Sequence, residues 1–288
     1  MYSANVITNI EACFNKLGIV TESYGRSAWT LALPQVPRIP VYAFIDEMWL
    51  CLDIPLDRPI TESSIGSCLM SQSVLPGAAK FSLDPQQRRL HLQAEIPLWE
   101  DAPLRAGLQE TLNALGTAAS AGSVEPPAES AIADPRSEIP EDVMEQIVAA
   151  CDEAGWVYSA RGKSLLSVEL TVRRKPYVAR ITVDGSGVRV GAEFLRLDAV
   201  EAHERFALSA LLLSAAREIR WARPYADAPE NGGSVGFEVR FPSVPGPGEV
   251  SHALGAISTA LSLCAEEAMA LRDKSIATQF LLVRGLTQ

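Results

Sequence analysis

Basic residues are in short supply. The chain has 25 Lys and Arg against 35 Asp and Glu, a formal charge of −10 over 288 residues. A surface of that sign repels phosphate backbones and anionic headgroups, whose binding rests on basic neutralisation. Nucleic acid and membrane are therefore not expected partners. Cysteine is sparse and odd in number: Cys13, Cys51, Cys68, Cys151 and Cys264, with no CxxC pair. Such usage opposes a disulfide frame and fits small buried hydrophobes in a reducing compartment. No apolar run reaches membrane-spanning length, and no N-terminal apolar core follows a basic flank. The expected location is cytoplasmic. Histidine is limited to His91, His203 and His252. None is spaced as a helical ligand pair, so no metal or cofactor is expected.

What the chain does have is a repeat. Val6–Leu33 aligns with Val143–Leu170 at a constant offset of 137 residues (170 less 33), and eight of the 28 paired positions are identical. That is enough to predict one fold unit written twice. The expected boundaries are residues 1–118 for copy one, 119–139 for an Ala/Ser/Pro/Glu-rich linker, and 140–288 for copy two with a C-terminal extension.

Periodicity predicts the elements. Val6, Ile10, Phe14 and Leu17 share one helical face, as do Val143, Ile147, Ala150, Cys151 and Ala154. Gly18 and Gly155 stand where a helix ends in a left-handed residue. Three strands are expected next in each copy, the last two forming hairpins (39–45 with 48–54, and 177–183 with 188–193). Then come a helix (62–74; 199–216), two strands (79–83 and 89–96; 218–223 and 234–241) and a closing helix. Residues 275–288 are expected to add a turn or two of helix. The predicted class is α+β: two tandem α-β-β-β-α-β-β-α domains forming a pseudo-dimer, with antiparallel sheets and helices packed on one face.

Motifs that mimic catalytic sites fail on context. Arg161-Gly162-Lys163-Ser164 looks like the end of a phosphate loop, but the earlier glycine is replaced by Val157 and a strand follows, not a helix. Gly185-Ser186-Gly187 with Gly191 reads as a hairpin turn rather than a dinucleotide fingerprint. Arg173-Arg174-Lys175 before Pro176 reads as a charged block against strand pairing at a sheet edge. The hairpins are more informative. Copy two alternates apolar and polar positions, as a sheet wet on one side does. Copy one reads as apolar on both faces, with Val41, Ala43, Ile45, Trp49 and Cys51 against Tyr42, Phe44, Met48, Leu50 and Leu52. Aligning Pro40 with Pro176 matches Phe44 to Arg180 and Tyr42 to Val178. The second face then needs a cover: the other copy, a second chain or a client.

The element order, the size of each copy and the acidity resemble the type III secretion chaperone-like fold, of the Tir-chaperone type and its YbjN-like relatives. The resemblance implies a non-catalytic, acidic module that holds another polypeptide on an apolar sheet face. Members of that family are typically homodimers of single-copy subunits, so two copies in one chain imply a fused pseudo-dimer. The expected partner is a protein or peptide client, unfolded or secreted, with homo-oligomerisation also open. Tyr42, Phe44, Trp49 and Leu50 are the expected contact surface. The competing expectations are an enzyme or small-ligand binder with a site between the copies, and a structural oligomer subunit.

Overall fold

A computed structural model describes residues 4–99, 104–120, 141–160, 165–184, 187–197, 200–227, 233–241 and 243–286. The first part runs α1 (Ala4–Lys16), β1 (Val20–Ser23), β2 (Ala28–Ala32), β3 (Pro40–Asp46), β4 (Trp49–Pro55), α2 (Glu62–Ser71), a 3₁₀ turn (Gln72–Val74), β5 (Lys80–Asp84), β6 (Arg89–Pro97) and α3 (Leu104–Ser120). The second runs α4 (Glu141–Ala154), β7 (Tyr158–Ala160), β8 (Leu165–Val172), β9 (Lys175–Asp184), β10 (Gly187–Arg196), α5 (Ala202–Glu218), β11 (Arg223–Ala226), β12 (Ser234–Phe241), α6 (Pro247–Ala270) and α7 (Lys274–Val283). The molecule is α+β, with two six-stranded antiparallel sheets in the orders β1-β2-β3-β4-β6-β5 and β7-β8-β9-β10-β12-β11.

Local chemistry sets the element ends. Gly18 and Gly155 take φ of 68° and 73°, and the N–H groups of Ile19 and Trp156 close back on the carbonyls of Phe14 and Cys151. This is the left-handed stop that glycine allows without a Cβ penalty. Thr61 caps α2 by accepting from the Ser64 N–H, and Ser64 returns the bond to the Thr61 N–H.

Each sheet buries one face against its own helices. In the first, Ala43 and Ile45 on β3 pair with Leu52 and Leu50 on β4, and Val41 and Ile54 are buried with them. That face meets Ile10 and Phe14 of α1 and Leu108, Leu112 and Leu115 of α3. In the second, Val168, Ile181, Val190 and Phe237 lie beneath α6, where Val250, Leu254, Ile257 and Leu261 are buried. Each such side chain contributes about 1.5–3 kcal/mol by leaving water.

Several expectations need correction. Each sheet has four strands, not three, ahead of its middle helix, because β1 and β7 form short edges. They hold four and three residues, VTES and YSA, too few and too polar to show a strand pattern. Residues 218–223 are not a strand: Glu218 ends α5, and β11 starts at Arg223. Ala119 and Ser120 belong to α3 rather than to a linker. Residues 121–140, 161–164 and 185–186, with the linker, Gly-Lys-Ser and Gly-Ser readings they carry, lie outside the described residues. Residues 274–283 form a full helix, α7, bent 118° from α6. No single helix among the described residues is long and apolar enough to cross a membrane. Arg173 and Arg174 form the β8–β9 turn with φ of 47° and 66°. Arg173 and Lys175 reach Glu266 on α6 at 3.5 and 3.1 Å, so the basic cluster ties the hairpin to its helix.

The middle helices cross over. α5, from the second part, packs along β5 of the first sheet, while α2, from the first part, packs on β11 of the second and against α5. Each part therefore lends its middle helix to the other's edge. We predict that residues 1–118 or 140–288 expressed alone give no cooperatively folded monomer, as judged by circular dichroism and sedimentation. A monomeric fragment with a sharp thermal transition would refute the exchange.

Candidate functional site: the junction of the two sheets

Alternation along each strand gives both sheets a second face, opposite the helix-covered core. On the first sheet this face carries Tyr42, Phe44, Asp46, Trp49, Cys51 and Asp53, set by the pairs Tyr42–Asp53, Phe44–Cys51 and Asp46–Trp49. The ladder corrects the assignment made from sequence. Residues directly opposite in an antiparallel pair share a face, so Trp49 and Cys51 stand with Tyr42 and Phe44. Leu50 points into the core at 0% exposure and is no contact residue. Tyr42 and Phe44 are half-buried. Phe44 pairs with Ala28 as Thr182 pairs with Leu165, so its match is Thr182, and that of Tyr42 is Arg180. The proline alignment was two residues out of register.

Towards β5 this face turns polar and is closed over. Lys80 is fully buried, lies 2.7 Å from Glu95, and donates to the carbonyl of Ile219 just past the end of α5. Burial lowers the Lys80 pKa, and Glu95 works against that shift. Arg217 of α5 pairs with Asp84 at 3.3 Å, and Arg220 pairs with Asp46 and, at 3.6 Å, with Glu95. Burial pushes the nearby Cys51 thiol up to about 12, so it stays protonated and unreactive at neutral pH.

The second sheet answers in kind. Arg223, the first residue of β11, lies 2.9 Å from Glu238 and donates to the carbonyls of Leu75, Gly77 and Ala79, just past the 3₁₀ turn that extends α2. Glu238 is enclosed by three guanidinium groups, with Arg189 at 2.5 Å and Arg240 at 3.1 Å completing the set. Burial alone would raise the Glu238 pKa, but Arg223, Arg189 and Arg240 outweigh it and hold the group below its ordinary value. Arg189 also lies over the Tyr225 ring, 4.5 Å from its centre. That ring in turn rests on Gly236, where a Cβ would come within 2.7 Å of it.

Sequence reading left His91 isolated in a strand, yet its Nδ1 lies 2.9 Å from Asp53. Ser82 is its cross-strand neighbour. The trio has the composition of a nucleophilic triad, but Ser82 is 0% exposed and His91 only 4%, and neither Ser82 Oγ nor His91 Nε2 has a hydrogen-bond partner. The arrangement is a buried polar pair with its serine closed off from solvent. The signal lay in the alternation of β4 and β6, which puts Asp53 and His91 on one face. No group of three or more His, Cys, Asp or Glu side chains among the described residues is arranged to hold a metal.

At one end of the junction, aromatic rings from both parts meet. Trp49, Trp99 and Trp221 lie with ring centres 5.2, 6.0 and 5.9 Å apart, and the His252 ring lies tilted 4.8 Å from that of Trp99. Trp49 was singled out from sequence. Its partners were not, because they come from separate loops whose meeting depends on the crossing of α2 and α5.

No family model matches the chain, and no curated protein matches it in sequence.

Glu238 makes the junction acid-sensitive. Its folded pKa lies below its unfolded one, so the unfolded chain binds more protons between the two and stability rises with pH there. The stabilisation is complete above about pH 4.5 and is lost as pH falls through the folded value. Glu238→Gln should cost about 3 kcal/mol at pH 7, because it strands buried guanidinium groups, and should flatten the slope of Tm against pH from 5 to 3. An unaltered slope would refute this assignment.

Proposed function

We propose that this chain is a polypeptide-binding module built as a pseudo-dimer of two like units, resembling a secretion chaperone. The reciprocity of the junction carries the pseudo-dimer. Lys80 and Arg223 hold the same place at the start of an edge strand, and each donates across the junction to carbonyls in the segment that follows the other unit's middle helix. Contacts in which i meets j while j meets i are the mark of a two-fold interface. The like strand orders and the repeat at the offset of 137 residues (170 less 33) support the same reading.

The binding surface is the second face of the first sheet. Beyond the part covered by α5 and its following turn, it presents Tyr42 and Phe44, half-buried aromatic rings on rigid strands. Rigid aromatic side chains give large contact area at low entropic cost, which suits them to anchor an extended client. The acidic surface favours basic clients and keeps the complex soluble.

Phe44→Arg places a charge on that face without touching the core, so the chain should keep its Tm within a few degrees. Client association should weaken about tenfold or more, as the loss of a hot-spot ring does. Affinity capture from the native cell, with each partner then titrated against both proteins, tests this. Equal affinities for wild type and variant would sink the assignment.

A further inference from the structure

The aromatic cluster at the end of the junction has features that the core does not require. Trp49, Trp99 and Trp221 make up three of the chain's five tryptophans, and all three are only partly buried. Two of the five non-glycine residues with positive φ among the described residues adjoin or belong to it: Glu47 at 50° and Trp221 at 68°. A bulky residue held in the left-handed region costs on the order of 1 kcal/mol or more, and here it turns an indole towards the other unit. The rim is acidic. Glu47, in the turn just before Trp49, is exposed, and Asp46 is partly so. Arg220, next to Trp221, is committed to Asp46 and Glu95. Met48, beside Trp49, is 52% exposed.

Partly exposed indoles inside an acidic rim attract a cation twice, through the ring quadrupoles and through the carboxylates. The ring centres, 5.2–6.0 Å apart, leave no room between the indoles, so a cation must lie on their outward faces. A lysine or arginine can do this while laying its aliphatic stem along Met48 and the rings. We propose that the Trp49–Trp99–Trp221 patch docks a basic, aliphatic-flanked segment of the partner polypeptide. This rests on the polypeptide-binding reading and names the chemistry the partner presents there.

Intrinsic tryptophan fluorescence of the full chain reads the event directly. Titrated with a twelve-residue alternating Arg/Leu peptide, the emission should shift and saturate, whereas a Glu/Leu peptide of the same length should leave it unchanged. Trp99→Ala should weaken binding of the Arg/Leu peptide about tenfold, read by anisotropy of a labelled peptide. Glu47→Lys, at an exposed turn that leaves folding intact, should weaken it about threefold. If the chain binds the Arg/Leu peptide but neither variant alters the affinity, the patch assignment falls and polypeptide binding stands. If the chain binds neither peptide while Phe44→Arg still reduces capture of its native partners, the basic-segment chemistry falls alone. If both experiments fail, the whole reading falls. Should Trp99→Ala prove unfolded, an unchanged affinity in Glu47→Lys overturns the patch by itself.

Discussion

The joining of the two parts depends on two buried cations placed beyond the ends of borrowed helices. Lys80 and Arg223 each begin an edge strand. Lys80 donates to the carbonyl of Ile219, the residue that caps α5, and Arg223 donates to those of Leu75, Gly77 and Ala79, in the loop between the 3₁₀ turn and β5. The carbonyl end of a helix carries partial negative charge and unpaired acceptors, so Lys80 meets an electrostatic demand and a hydrogen-bonding one together, while Arg223 satisfies three buried or part-buried loop carbonyls. Burying such groups is expensive, and a well-packed apolar substitute could match their stability. What apolar packing would not supply is register. A hydrophobic edge strand can slide along a hydrophobic helix, whereas an ammonium or a guanidinium must find its carbonyl and its carboxylate. The two sheets are thereby fixed relative to each other at both edges.

The same constraint explains why those edges are closed. A terminal strand such as β5 presents unpaired backbone groups that invite another chain. Here α5 covers it, and the Gln72 side chain occupies both the N–H and the carbonyl of Phe81 at 2.9 and 2.7 Å, as a neighbouring strand would. The opposite edges, β1 and β7, are protected differently: they are only four and three residues long. The molecule thus spends its helices on the inner edges and leaves the outer ones short.

How much of this could be read from sequence follows from the range of each interaction. Elements set by local periodicity were legible: the stripe of Ile10 and Phe14, the glycine stops at Gly18 and Gly155, and the long apolar pattern of α6. The face of the first hairpin was misjudged because face depends on register. Placing Leu50 beside Tyr42 required a pairing that the ladder does not make. α5 was legible as a helix, but its destination was not. Its residues from Phe206 to Leu213 are buried all round, and a helix apolar on every side does not say which sheet it lies on. The tryptophan cluster was out of reach for the same reason, since its three indoles meet only after the helices have crossed.

The difference between the two second faces is the last consequence of the junction. Both faces hold a buried carboxylate, Glu95 in one and Glu238 in the other, but the charges around them are unequal. Glu95 has Lys80 at 2.7 Å and Arg220 at 3.6 Å. Glu238 is enclosed by Arg223, Arg189 and Arg240. The second sheet continues this charge outward, with Arg180 paired to Glu193 at 2.7 Å, and its face stays polar. At the matching positions the first sheet holds Tyr42 and Phe44 where the second holds Arg180 and Thr182. The aromatic face lies on the sheet poorer in cations, and the tryptophan patch sits at its end, where Trp221 joins Trp49 and Trp99 from the other part. The proposed recognition of a basic segment rests on that difference, whereas the arginines around Glu238 are held in ion pairs that lock the junction.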